Sequence, residues 1–230
     1  MPHGYFEHCI RLAQLVRNIR QDLYDGPVRE GQRLTQAHFN DATEVLNEWL
    51  AAVPPHLHIT TSIPPQYRRS ISLLHLRYWS AVMLVTRPFL LLSLLRLVEL
   101  GTLKQPTFDK LTRTCISAAE SSLDILESMV QLKVVSSLVM LDFFLALQVL
   151  QVILAAFELY REASYQVHAK RCAGILLAIA TSGYPKHLLP EPLFQLQECG
   201  LTERANHSIV PEQRPDLCHR LENGCESVMG

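Results

Sequence analysis

The side chains best suited to chemistry are six cysteines, at positions 9, 115, 172, 199, 218 and 225, and ten histidines. Structural zinc takes four ligands, usually from closely spaced pairs, and no C-x2-C pair occurs anywhere in the chain. Cys218 and Cys225 with His219 between them are two thiols and one imidazole, short of four. Cys115 and Cys172 fall on apolar helical faces and read as small core residues. With no disulfide framework in the spacing, a reducing compartment is expected. His56 and His58 are separated by one residue, so in an extended segment they point to opposite sides, and a loop is the better reading. His75 stands between Leu74 and Leu76 and reads as a hydrogen-bonded core histidine. A nucleophile elbow, a phosphate-cradling glycine loop, a paired-histidine zinc helix and a dinucleotide fingerprint are all missing. Hence no enzymatic activity, catalytic residue, metal ligand or cofactor site is expected from these residues.

A formal net charge of −1 gives the chain no long-range attraction to nucleic acid, so it is a poor DNA binder by itself. Arg68, Arg69, Arg77, Arg87 and Arg96 make one stretch locally basic, with Glu99 its only acid. Their stems are expected to cover apolar surface while the heads reach water or partners. The N-terminus lacks a charged start followed by an apolar run, so secretion is not indicated. Residues 138–157 are long and apolar enough to span a bilayer, but Asp142 interrupts them. Gln148, Gln151 and Glu158 recur there at helical spacing, so a core helix with one wet edge is expected and a membrane span is not.

The elements that must position these groups are helical. The chain is 48% hydrophobic and 19% charged, with only 9 glycines. Its apolar segments are rich in helix formers and carry no alternating Val/Ile/Thr runs. An all-α fold follows, an irregular bundle of about six to seven helices over residues 1–200, with a polar, disordered tail at 201–230. Residues 4–24 show Phe6, Ile10 and Ala13 at helical intervals, with Leu12, Leu15, Ile19 and Leu23 beside them. A second helix runs from Thr35 or Gln36 to Ala52, with Phe39, Ala42, Val45, Leu46, Trp49 and Leu50 as its face, and Pro54-Pro55 stops it. The stretch Gln66 to Gly101 is apolar over most of its circumference and is the centrepiece, with a kink or break at Arg87 and Pro88. Gly101 and Pro106 end it, and Thr107 can cap the next helix. That helix has a seam of Ile116, Ala119, Leu123, Leu126 and Val130. A buried helix follows from Ser136 or Ser137 to Tyr160. Another runs from Ser164 to Ser182, with Val167, Cys172, Ile175, Leu176 and Ile179 inward. Leu193 to Cys199 forms at most a short last helix. Because Pro88 frees the carbonyl of Leu84, the nearby Arg87 guanidinium is expected to bond to it, with effector binding as the alternative role.

The run Leu74-His75-Leu76, Tyr78, Leu84, then Thr86-Arg87-Pro88-Phe89-Leu90 resembles the signature helix of the fungal-specific transcription factor domain. That domain is the regulatory middle region of the binuclear zinc-cluster transcription factors. Leu46-Asn47-Glu48-Trp49-Leu50 leading to Val53-Pro54-Pro55-His56-Leu57 is similar to the family's preceding segment, and Cys115 with Ala118-Ala119 to the start of its next helix. The resemblance spans residues 5–189. It implies an all-helical region, located in the nucleus, that couples small-molecule effectors or protein partners to transcription by RNA polymerase II. It marks His75, Tyr78, Arg87, Pro88 and Phe89 as structural or effector-contact candidates. Zinc is expected only in the family's DNA-binding head, whose six-cysteine pattern this chain lacks, so the chain is read as the rear of such a domain. Protein partners or self-association, a small-molecule effector, no direct DNA binding and no membrane are the corresponding expectations. A non-transcriptional helical interaction or ligand-binding module is the competing class, and a membrane-associated helical protein is the third.

Overall fold

The computed structural model describes residues 1–25, 35–59, 63–95, 105–136, 140–181 and 183–200, and these contain helices and no strand. The expected all-α bundle is what the chain forms. Helix α1 is Tyr5–Arg20, prolonged by a π-helical turn Gln21–Asp25. Helix α2, Gln36–Ala51, begins where Thr35 donates its backbone N–H to His38 Nδ1 at 3.2 Å, which satisfies one of the groups left over at a helix start. The prolines at 54 and 55 end it in a 3₁₀ turn, Pro55–Leu57. A second 3₁₀ turn, Pro65–Tyr67, leads into α3, Arg68–Leu94. Helices α4, Gln105–Gln131, α5, Met140–Tyr160, and α6, Ala163–Ile179, complete the body. Two short helices close it, α7 at Gly183–Leu188 and α8 at Pro190–Glu198.

Helix α3 is the hub, packing on α1, α2, α4 and α5. Its sequence requires this, because Ile71, Leu74, Leu76, Tyr78, Val82, Met83, Val85, Phe89 and Leu90 wrap much of the cylinder and every one is buried. Helix α5 is the second element covered on several sides, by α3, α4, α6, α7 and α8. Among the described residues it is the helix long and apolar enough to cross a membrane by length and composition. In the bundle its Phe143, Ala146, Val149, Leu150, Val152, Ile153 and Ala156 are core. Helix α4 supplies the interface between these two through the expected seam at Ile116, Ala119, Leu123 and Leu126, with Val130 half-buried.

Several expectations are corrected by the packing. Of the kink or break expected at Arg87 and Pro88, the break does not occur: α3 is one helix through that point, with Pro88 inside it. On α1 the buried residues are Tyr5, His8, Leu12 and Ile19, whereas Phe6 and Ile10 are 61% and 56% exposed. Two overlapping apolar stripes were available there, and docking on α3 selects the one that also carries Leu23. Val45 and Val167 likewise face solvent rather than the core. Helix α4 begins at Gln105, so Thr107 lies inside its first turn and is not the cap, and Pro106 stands in that first turn, where a proline is tolerated. Gly183 opens α7 instead of closing α6, and the last helix starts at Pro190, since proline suits a first turn. The expected tail at 201–230, with Cys218, His219 and Cys225, and the sites at Arg96, Glu99, Gly101 and Ser137 lie outside the described residues.

Candidate functional site

The motif residues of α3 come together as packing. His75 is buried and donates its Nε2–H to the carbonyl of Leu57 at 2.9 Å, which holds the 3₁₀ turn onto the helix. Burial lowers its pKa, the Leu57 hydrogen bond pulls it partly back, and His58, 6.2 Å away ring to ring, lowers it further. The imidazole is therefore a neutral donor near pH 7. Tyr78 stacks on Trp49 with ring centroids 5.8 Å apart and donates its hydroxyl to Asn47 Oδ1 at 2.9 Å. Asn47 and Trp49 belong to the segment that resembles the family's approach to the helix, so two of the quoted motifs meet at this contact. Phe89 lies edge-to-face between Phe39, at 4.9 Å, and Phe108, at 5.2 Å, joining α2, α3 and α4.

The proline at 88 leaves a gap in the backbone ladder, and the group that fills it is not Arg87. Tyr24, from the π-helical turn after α1, donates its hydroxyl to the Leu84 carbonyl at 2.6 Å. Arg87 instead donates through Nη2 to Gln151 Oε1 of α5 at 2.7 Å. Tyr24 thus satisfies an acceptor that the proline would otherwise leave without its helical donor. Tyr24→Phe is expected to cost about 1–2 kcal/mol, and clearly less in a Pro88→Ala background, where residue 88 regains an N–H for that carbonyl. A double-mutant cycle by urea denaturation checks this. Equal costs in the two backgrounds would show that the Leu84 carbonyl is not what Tyr24 serves.

Of the stripe expected as a wet edge on α5, Gln148 and Gln151 are half-buried and bond to α3, whereas Glu158 pairs with Arg161. Gln151 meets Arg87, and Gln148 accepts from Ser80 Oγ at 2.7 Å. Asp142 is fully buried and receives both Nη groups of Arg69 at 2.8 and 2.9 Å, with the Ser136 amide donating to it at 2.9 Å. Arg69 also donates to the Val134 carbonyl. One guanidinium thereby ties α3, the chain entering α5, and α5 itself. The carboxylate that interrupts the apolar run is a structural anchor.

Between α1 and α5, over the face of α3, lies a cleft of about 470 Å³. Leu12, Ala13 and Val16 form one wall, Leu141 and Leu145 the other, and Ala81 and Leu84 the floor. Arg20, Arg77, Ser80, Gln148 and Cys9 supply its polar groups. Its volume is in the range of small-molecule sites, roughly 300–1,000 Å³. None of the five motif candidates lines it. A second hollow of about 380 Å³ between α1 and α2 carries Asp22, Asp41 and His38. A third, of about 220 Å³, already holds a cation of its own, because Arg113 lies over Tyr160 at 5.9 Å. Among the described residues no three His, Cys, Asp or Glu side chains converge in a way that would hold a metal ion. Burial pushes the thiols of Cys115 and Cys172 up to about 11 and about 12, which makes them poor nucleophiles.

Sequence reasoning missed the cleft, Tyr24 and the partners of Arg69 and Arg87, all of which depend on which helices become neighbours. Only the polar spacing at 142, 148 and 151 on α5 signalled a special face. Compared with family models, with curated proteins and with solved structures, the chain finds no match in any of the three.

Proposed function

We infer that this chain acts as the effector-responsive helical region of a fungal zinc-cluster transcription factor. It controls transcription by RNA polymerase II in the nucleus, while DNA is contacted by a separate zinc-cluster head. The observation that carries this reading is the placement of the quoted motifs. Leu74-His75-Leu76, Tyr78 and Thr86 to Leu90 lie on a single helix, the hub of the bundle, and Tyr78 touches Asn47 and Trp49 from the segment resembling the family's preceding one. A regulatory region needs a rigid centre that several helices share, since a ligand at one face then shifts elements at another. A net charge of −1 agrees with DNA contacts lying elsewhere.

The test fuses the chain behind a heterologous DNA-binding head in a fungal reporter strain. Reporter output is expected to change several-fold relative to the head alone. Fluorescence anisotropy of the isolated chain with labelled duplexes at physiological salt is expected to find no sequence-specific affinity. Output unchanged from the head alone, or tight sequence-dependent DNA binding that survives salt, would remove this reading and favour a non-transcriptional interaction module.

A further inference from the structure

We propose that the cleft between α1 and α5 binds an apolar monocarboxylate of the medium-chain fatty acid class, with Arg77 and Gln148 holding the carboxylate and the two helix walls holding the chain. No Asp or Glu lines the cleft, yet two arginines do. Arg11, Arg69, Arg161 and Arg171 are neutralised by carboxylates, whereas Arg68 and Arg87 donate to neutral oxygens and Arg113 lies over the Tyr160 ring. Arg20 and Arg77 have no carboxylate at ion-pair distance among the described residues. Both side chains are exposed, so they give the mouth of the cleft a net positive charge, and a guanidinium matches a carboxylate with paired hydrogen bonds.

The polar groups are also arranged along the cleft. Ser80 is one helical turn from Arg77 and occupies the Oε1 of Gln148, which leaves the Gln148 amide N–H groups to donate. Arg77 belongs to the end near the start of α1, where its charge reaches Tyr5. The opposite end is marked by Tyr24 on the Leu84 carbonyl, and there Arg20 raises the positive potential without forming the head site. The other lining residues include Leu12, Ala13, Val16, Ala81, Leu141 and Leu145, all apolar. Phe6 and Ile10 of α1 and Phe144 of α5, the two helices that wall the cleft, are 61%, 56% and 52% exposed. The occupant is thus a long apolar body with a single acidic head.

This inference deepens the effector-responsive reading and rests on it for its purpose, but binding is measurable without it. The full chain is titrated with decanoate, decan-1-ol and decyltrimethylammonium below their aggregation limits, followed by calorimetry and by amide NMR shifts. Decanoate is expected to occupy one site, with shifts at Cys9 to Val16 and Ser80 to Leu84, and to bind about tenfold more tightly than the alcohol. Arg77→Glu is expected to weaken decanoate about tenfold and Arg20→Glu less. Ala13→Phe, at an exposed position, is expected to fill the cleft and abolish binding with an unchanged melt. Equal affinity for all three compounds, or full affinity in Ala13→Phe or Arg77→Glu, would reduce the effect to nonspecific adsorption and overturn the proposal. So would a dimer in sedimentation that Ala13→Phe dissociates, since a second copy would then be the occupant. Decanoate binding without any reporter response sinks the regulatory reading and leaves the site standing, whereas a responsive reporter without decanoate binding sinks the site alone.

Discussion

Replacing Arg69 by alanine is expected to cost the fold about 3 kcal/mol, far more than the loss of a surface ion pair. The reason is what it leaves behind. Asp142 has no solvent exposure, and its two oxygens are satisfied by both Nη groups of Arg69 and by the Ser136 amide. Without the guanidinium the carboxylate stays buried, with the Ser136 amide as its remaining donor among the described residues, and the Val134 carbonyl also loses its partner. The estimate is at the low end for a broken buried pair because the Arg69 side chain is 29% exposed, so part of the wild-type attraction is screened. Urea denaturation followed by circular dichroism measures it. The informative control is Arg69→Met combined with Asp142→Leu, which removes both charges at similar volume and is expected to recover most of the loss. A single-mutant cost below about 1 kcal/mol would mean that Asp142 gains water or another donor once Arg69 is gone, and that the anchor is dispensable.

How much of this was legible beforehand differs between the levels of structure. Helix existence was readable because apolar residues recur at three and four along α2, α4 and α6, and because prolines at 54, 55, 64 and 65 allow only short turns between α2 and α3. The central role of α3 was readable too, since a helix greasy on most sides must have neighbours on most sides. Faces were legible only where one stripe was available. On α1, Phe6 and Ile10 are four residues apart and Leu12 and Ile19 seven, both helical intervals, and nothing local distinguishes the two stripes. Polar partners were the least legible. Asp142 looked like an interruption because its partner is 73 residues earlier, and the donor to Leu84 is 60 residues away in a segment read as ordinary helix. A cleft left between two helices on a third is a property of three elements together, so no spacing within one of them encodes it. Among the residues that resemble a family motif, Leu74, Leu76, Phe89 and Leu90 are buried, and His75, Tyr78, Thr86 and Arg87 each make a hydrogen bond.

Phe89→Ala is expected to destabilise the fold by roughly 3–4 kcal/mol, the largest effect among the motif positions. Phe89 is 7% exposed and fills the space between Phe39 and Phe108, so its removal opens a cavity where α2, α3 and α4 meet and deletes two edge-to-face contacts at once. The position decides between two roles for the motif. If Phe89 is packing, Phe89→Leu retains much of the volume and is expected to cost less than about 1.5 kcal/mol, with reporter output and decanoate affinity following stability alone. If it is an effector contact, the leucine variant would melt near wild type yet lose response. Thermal melts paired with the reporter fusion separate these outcomes. Packing is the expected result, because Phe89 is absent from the cleft lining and its ring is enclosed by two aromatic neighbours. A leucine variant that is stable and unresponsive would move the effector site from the cleft beside α1 to the junction of α2, α3 and α4.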